Sequence, residues 1–161
     1  MHPIRLLGDP VLRTPCDRVT RYDDGLTRLV ADLLEGVRQP GRAGLAAPQI
    51  GVGLAVFAYD VDGHLGYVVN PRIVGTSGVQ EGPEGCLSIP GVDAVTPRAA
   101  YAVVAGEDRR GSPLAVEGGG ELARCLQHEV DHLDGVLYVD RLTGAERRRV
   151  LRHVRGVLGS P

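Results

Sequence analysis

The chain has 161 residues, a length that suits a single domain, residues 1–161, with its own hydrophobic core. Its formal net charge of −2 gives no reason to expect direct nucleic-acid binding or attraction to a membrane. All 18 basic residues are arginine, which excludes enzymes that use a lysine Schiff base. The sequence contains no long apolar segment and an odd number of cysteines, so we expect a cytoplasmic protein with reduced thiols.

Patterns of apolar and turn-forming residues predict both helices and strands. Pro71 indicates an edge strand or a strand end, because proline has no N–H to donate to a neighbouring strand. Gly118-Gly119-Gly120 predicts a break, and Thr143 and Glu146 have the spacing of a capping box. The predicted elements are a helix at 24–38, a loop at 44–51, strands at 54–59 and 66–73 with a turn at 60–63, strands at 99–107 and 113–116, a helix at 122–133, and a helix from residue 143.

The segment Gln127-His128-Glu129-Val130-Asp131-His132 indicates metal chemistry. On a helix, His128 and His132 lie on one face about one turn apart, close enough to bind a single ion. The apolar residues of the same helix point to another side, which disfavours two ordinary surface histidines. Glu129 cannot join the histidines as a ligand without distorting the helix, but beside a water molecule it is placed to act as general base and then as proton donor.

Two histidines leave a metal short of protein ligands, and the thiols are candidates for the third. Cys125 lies on the same helix, and its position favours a core residue or the wall of a pocket over a ligand. Cys86, in the glycine-flanked segment 84–90, could bring a thiolate in from outside the helix and is the better candidate. Cys16 is interpreted as a small structural residue. Two imidazoles and a thiolate suit Fe(II), Zn(II), Co(II) or Ni(II) without choosing among them.

Three segments together resemble the peptide deformylase family: Gly-Leu-Ala-Ala-Pro-Gln at 44–49, Glu-Gly-Cys-Leu-Ser at 84–88, and the histidine motif at 127–132. Similar residues at 7–13 and 135–137 extend the resemblance over nearly the whole chain. The resemblance implies an α+β fold in which a central metal-binding helix is surrounded by mostly antiparallel sheets, with an N-terminal and a C-terminal helix.

The same resemblance implies an enzyme that hydrolyses the N-formyl group from peptides beginning with formyl-methionine and releases formate. It implies one divalent ion bound by Cys86, His128 and His132, most often Fe(II) in the cell, with zinc, nickel or cobalt able to occupy the site. Glu129 would be the catalytic acid and base. The side-chain amide of Gln49 and the backbone N–H of Leu87 would face the formyl oxygen.

One residue departs from the family pattern. The family usually has a glycine two residues before Gly44, where this chain has Arg42. A long cation at the rim of the substrate groove could narrow the entrance or contact an anionic group on the ligand. We expect substrate contacts from Arg42, Gly44, Gly85 and Arg98.

Other functions compete with this interpretation. The histidine motif is shared with zinc proteases, although a thiolate ligand argues against a metalloprotease. The same chemistry on a specialised formylated small molecule is supported only by Arg42, and a non-catalytic metal-binding module is disfavoured by the complete motifs. The last helix carries Arg148, Arg152 and Arg155 along one face, which we interpret as a solvated face, with a ribosome contact as a further hypothesis.

Overall fold

The structure, a computed structural model, describes residues 2–159. Short 3-10 turns lie at Pro10–Leu12, Ala47–Ile50 and Tyr138–Arg141. We number the other elements in chain order. They are α1 Asp24–Val37, β1 Gly44–Ala46, β2 Val56–Val61, β3 His64–Ser77, β4 Gln80–Cys86, β5 Ile89–Arg98, β6 Tyr101–Glu107, β7 Pro113–Gly119, α2 Gly120–Leu133 and α3 Gly144–Leu158.

The strands within residues 2–159 form a five-stranded sheet in the order β1-β2-β3-β6-β7 and a separate hairpin of β4 and β5. Neighbouring strands are antiparallel throughout. The predicted turn between β2 and β3 is confirmed: Asp62 and Gly63 have φ of 51° and 82°. Such positive values are what a tight two-residue hairpin turn requires.

Helices α1 and α2 pack on opposite faces of the large sheet. Along β2, Val56 and Ala58 join the apolar cluster under α1, whereas Phe57 joins the cluster under α2. This alternation is the period of two expected for a strand covered on both faces. Helix α1 lies where the sequence predicted it, and the apolar stripe buries Leu26, Leu29, Val30, Leu33 and Val37.

Helix α2 is central because it packs against both sheets. It contacts all five strands of the large sheet and also β5 of the hairpin. Helix α3 covers the hairpin, where Val150 and Val154 share an apolar cluster with Ile89 and Tyr138. The predicted α+β fold, with the histidine motif on a central helix, is confirmed.

The prediction that Pro71 lies in an edge strand or at a strand end is wrong. Pro71 lies inside β3, between β2 and β6, where the pairing with β6 shifts register between Val69 and Arg72. Asn70, just before it, has φ of 50°, so a bulge accommodates the proline within an interior strand. The predicted break at the glycine run 118–120 is confirmed: β7 ends at Gly119, and α2 begins at Gly120, which has φ of 56°.

The N-terminus of α3 also differs from its prediction. Thr143 is the N-cap residue, but its side chain makes no capping hydrogen bond, and Glu146 instead pairs with Arg149 at 2.7 Å. The predicted capping box is therefore wrong.

Strands β4 and β5 were not predicted as strands. Within residues 2–159, the helices lack the combination of length and apolar character that crossing a bilayer demands.

Candidate metal centre

The two histidines of α2 face one another across a helical turn. The rings of His128 and His132 lie edge to face with centroids 4.9 Å apart, and their Nε2 atoms are 3.2 Å apart. Both side chains are buried. Burial, together with the neighbouring His128, holds the pKa of His132 well below its ordinary value. The His132 ring is therefore neutral, which is the form that binds a metal.

Cys86 brings a thiol to the same point from the hairpin. It ends β4, where the pairing with β5 shifts register and the chain turns. Its Sγ lies 3.3 Å from Nε2 of His132, and the ligand atoms of Cys86, His128 and His132 all lie within 4.8 Å of one another. Bonds of about 2.3 Å to sulfur and about 2.0 Å to nitrogen place tetrahedral ligand atoms about 3.3–3.6 Å apart. The donor set therefore fits a divalent ion.

A buried carboxylate, Glu84, orients His128 from the side away from Cys86. Its Oε2 accepts a hydrogen bond from Nδ1 of His128 at 2.8 Å, which leaves Nε2 for a metal. Arg98 donates to both Glu84 oxygens, at 3.0 and 2.5 Å, and Arg124 donates to Oε1 at 2.9 Å. Burial by itself would raise the pKa of Glu84, but the hydrogen bonds from His128 and Arg98 outweigh it and lower the pKa to about 2. Glu84 is therefore an anion.

The network continues from Glu84 towards the surface. Nη1 of Arg98 donates to Oδ2 of Asp131 at 2.7 Å, and Arg141 donates to both Asp131 oxygens at 3.0 and 2.6 Å. Sequence reasoning did not assign roles to Glu84, Asp131 or Arg124. The only clue was that Glu84 and Asp131 lie inside the motif segments, because spacing alone does not show that a carboxylate is buried.

Glu129 lies at the wall of the site with a carboxylate that is not fully hydrogen-bonded. The side chain is buried, and among the described residues its Oε2 has no hydrogen-bond partner. Burial raises its pKa to about 7. A Cβ atom on Gly44 would collide with this carboxylate. Glycine at position 44 is therefore what allows β1 to approach Glu129.

Gln49 presents its amide nitrogen to the site. Its Oε1 accepts a hydrogen bond from the backbone N–H of Ala46 at 3.0 Å, which fixes the orientation of the amide. Its Nε2 then lies 3.2 Å from Oγ of Ser88 and 3.7 Å from Sγ of Cys86. Leu87 lies between Cys86 and Ser88 in the chain and lines the cleft together with Gln49.

These groups open into a cleft of about 510 Å³ between β1, the β4–β5 hairpin and α2. Cys125 lies in its wall, as its position in the sequence favoured, and its Sγ donates to the backbone oxygen of Ala43 at 3.4 Å. The predicted site residues that line the cleft are Arg42, Gly44, Gln49, Gly85, Cys86, Leu87, His128 and Glu129.

The two predicted substrate-binding arginines occupy different positions. Arg42 lies at the rim of the cleft, and its Nη1 donates to the backbone oxygen of Gly36 at the end of α1, at 3.0 Å. Arg98 is buried behind His128, where its guanidinium is bonded to Glu84 and Asp131, and it is not among the residues that line the cleft. Of these two arginines, only Arg42 lines the cleft.

Comparison with known proteins is consistent with this centre. Residues 1–148 match the family model described as polypeptide deformylase. The chain belongs to the polypeptide deformylase family. It is 51% identical over 155 residues to the peptide deformylase of Acidothermus cellulolyticus, covering 96% of this chain and 86% of that protein. It is also 51% identical over 158 residues to peptide deformylase 2 of Streptomyces avermitilis, covering 94% of this chain and 85% of that protein.

Solved deformylase structures have the same fold. The peptide deformylase from Legionella pneumophila aligns with a TM-score of 0.90 at 38% identity, covering 100% of this chain and 99% of that one. The enzyme from Thermus thermophilus aligns with a TM-score of 0.90 at 40% identity, covering 97% of this chain and 94% of that one. The family resemblance expected from the sequence motifs is thus confirmed.

Proposed function

We propose that this protein is a metal-dependent hydrolase that removes the N-formyl group from the N-terminal formyl-methionine of nascent peptides and releases formate. The observation that supports this function best is the convergence of Cys86, His128 and His132 beside the carboxylate of Glu129 at one end of a peptide-sized cleft. Membership of the polypeptide deformylase family supports the same reaction.

Cys86, His128 and His132 would hold the divalent ion. When bound, the ion supplies a Lewis acid that activates water and polarises a carbonyl group. Fe(II) is our proposal for the ion in the cell, and zinc, nickel and cobalt suit the same thiolate and imidazole ligands. Metal analysis after anaerobic purification distinguishes among these ions.

Glu129 would transfer the proton. Its carboxylate would accept a proton from the attacking water and then donate it to the nitrogen that leaves when the C–N bond of the formamide breaks. A pKa raised to about 7 by burial suits both steps, because the group can take up and release a proton near neutral pH.

Two donors would stabilise the oxygen of the formyl group as it gains negative charge. The amide of Gln49 is already fixed by its bond to Ala46, so Nε2 is preorganised. The backbone N–H of Leu87 would be the second donor. Such donors lower the barrier because they need no reorganisation when the charge develops.

Gly44 and Gly85 line the cleft on its two sides, and their lack of side chains would let a peptide backbone lie along β1 as an added strand. Main-chain recognition of this kind reads a peptide with little regard to its sequence.

Arg42 would contact the peptide at the rim. Arg98 would not make the substrate contact that was expected from the sequence. Its bonds to Glu84 and Asp131 instead support a role in positioning His128.

A metalloprotease and a specialised small-molecule deformylase are less well supported. The thiolate candidate and the family membership both favour deformylation over proteolysis. The small-molecule alternative depended on Arg42, whose guanidinium donates to the end of α1. A ribosome contact through α3 and a cytoplasmic location stay predictions, and co-sedimentation of the protein with ribosomes tests the first.

The function is tested by incubating the metal-loaded enzyme with a formyl-Met tripeptide and with the same peptide lacking the formyl group. We expect formate from the first peptide and no cleavage of either chain. Glu129→Gln removes the proton carrier and should lower kcat by about 10²–10⁴-fold. Glu81→Gln, an exposed position on β4, is the matched control and should keep wild-type activity. Chain fragments, or an unaffected Glu129→Gln enzyme, would contradict the proposal.

A further inference from the structure

A buried hydroxyl group, that of Ser88, lies beside the two groups proposed as donors to the formyl oxygen. Ser88 follows Leu87 in the chain, and its side chain is completely buried. Nε2 of Gln49 donates a hydrogen bond to Oγ of Ser88 at 3.2 Å. Ser88 therefore connects the two proposed donors, through a peptide bond to Leu87 and through a hydrogen bond to Gln49.

The hydrogen bond to Ser88 bears on which end of the Gln49 amide faces the site. The oxygen and nitrogen ends of an amide are nearly equal in shape, so hydrogen bonds select the orientation. Oε1 accepts from the N–H of Ala46, and Oγ of Ser88 takes one of the two N–H groups of Nε2. The second N–H is left on the side of Cys86, whose Sγ lies 3.7 Å from Nε2. In the opposite orientation, the amide oxygen would face the developing negative charge and repel it.

Gln49 and Ser88 are both held by the same N-terminal segment. The backbone N–H of Arg5 donates to the backbone oxygen of Gln49 at 2.8 Å, and the backbone N–H of Leu7 donates to that of Ser88 at 2.9 Å. Residues 5–7 thus fasten the 3-10 turn that carries Gln49 to the loop between β4 and β5 that carries Ser88. The hydroxyl of Ser88 is therefore presented from a fixed backbone, as a group that orients another side chain requires.

We propose that Ser88 is a positioning residue whose hydroxyl, together with the Ala46 N–H, holds the Gln49 amide with Nε2 towards the formyl oxygen. This inference rests on the proposed deformylase function and deepens it. Ser88 does not line the cleft, so it acts through Gln49. A donor that is already oriented lowers the barrier because the amide need not rotate as the charge develops. Loss of the hydroxyl should therefore slow the chemical step more than it weakens substrate binding.

Kinetics of the metal-loaded enzyme with a formyl-Met tripeptide test this assignment. Ser88→Ala removes the acceptor without adding volume, and we expect kcat to fall by about two- to tenfold while KM changes by less than about twofold. Thr96→Val is the matched control, since Thr96 is equally buried on β5 of the same hairpin but its Oγ1 donates to the backbone oxygen of Ala94. Thr96→Val should keep the wild-type kcat.

A double-mutant cycle separates the positioning of Gln49 from a general structural effect. Gln49→Leu removes the amide and should lower kcat by about 10²–10³-fold. If Ser88 acts through that amide, adding Ser88→Ala to Gln49→Leu should change kcat by less than about twofold. An equal loss in both backgrounds would overturn the inference, because the hydroxyl would then act independently of Gln49.

Nuclear magnetic resonance tests the contact without catalysis. Selective isotope labelling of glutamine gives few side-chain amide signals, and Gln49→Leu identifies those of Gln49; the glutamines are residues 39, 49, 80 and 127. In the zinc-loaded wild-type protein, the N–H bonded to Ser88 should exchange slowly with solvent. This protection should be lost in Ser88→Ala and kept in Thr96→Val. Rapid exchange in the wild-type protein, or equal exchange in wild type and Ser88→Ala, would overturn the inference.

The outcomes separate this inference from the proposed function. If the wild-type enzyme releases formate and Ser88→Ala has the same kcat, Ser88 does not position Gln49, whereas the deformylase function stands. If the wild-type enzyme releases no formate, the proposed function itself is contradicted.

Discussion

Glu84 and Glu129 are both buried glutamates of one site, and their pKa values are shifted in opposite directions. Glu84 accepts hydrogen bonds from His128 and two arginines, and its pKa is lowered to about 2. Glu129 is buried, one of its oxygens has no hydrogen-bond partner within residues 2–159, and its pKa is raised to about 7. The groups around each carboxylate make one a fixed anion and the other a group suited to proton transfer.

The role of Glu84 predicts the effect of Glu84→Gln. An amide of the same shape cannot act as the anionic acceptor for Nδ1 of His128, and it leaves Arg98 and Arg124 short of negative charge. Loss of such a supporting group lowers metal affinity by about 10–100-fold. Competition of each protein with a chromogenic chelator, followed by measurement of the bound metal, gives the change in affinity.

Glu81→Gln is the matched control for this measurement, because it makes the same chemical change three residues earlier on β4 at an exposed position. It should keep wild-type affinity. A folded Glu84→Gln protein that retains metal as strongly as the wild type would show that the bond between Glu84 and His128 is not needed to orient the histidine.

At the level of elements, the loop before β1 is attached to the end of α1. The backbone oxygen of Gly36 accepts N–H groups from Arg38 and Gln39, and Nη1 of Arg42 adds a third donor at 3.0 Å. The last carbonyls of a helix lack partners within the helix, and a cation there also interacts favourably with the helix dipole. Arg42 thus links α1 to the strand that carries Gly44.

We therefore expect Arg42→Ala to lower the free energy of unfolding by about 1–2 kcal/mol, the worth of a charged hydrogen bond at a partly buried helix end. Chemical denaturation followed by circular dichroism measures it. Arg38→Ala is the control, since Arg38 lies at the same helix end but its exposed side chain is not the donor to Gly36. Equal losses in the two variants would assign the effect to charge alone.

At the level of the whole molecule, the candidate ligands come from two parts of the fold. Cys86 belongs to the β4–β5 hairpin, whereas His128 and His132 belong to α2, which packs on the large sheet. An ion bound by all three would connect the hairpin to the centre of the protein. Anything that binds only the folded state stabilises it by mass action.

Removal of the metal should accordingly lower the melting temperature. At free metal about 100-fold above its dissociation constant, the stabilisation is about 2.7 kcal/mol, or about 5–10 °C for a domain of this size. Differential scanning calorimetry with and without a chelator measures the shift, which re-added metal should reverse. Cys86→Ser should show a smaller shift, and equal melting temperatures of loaded and fully stripped wild-type protein would contradict the prediction.

The sequence alone determined the elements whose physics is local. The stripe that buries Leu33 in α1, the turn at Asp62-Gly63 and the four-residue spacing of the histidines each follow from backbone geometry, and each is present in the structure. The family resemblance, carried by short motifs, was also visible without coordinates. These features do not depend on what lies elsewhere in the chain.

Only the tertiary structure decided which groups are buried together. A register shift accommodates Pro71 inside an interior strand, and the placement of Arg98 behind His128 follows from the packing of the hairpin on α2. The same packing lowers the pKa of Glu84. Burial and hydrogen bonding between residues distant in the chain set these properties, and no local pattern of residue types encodes them.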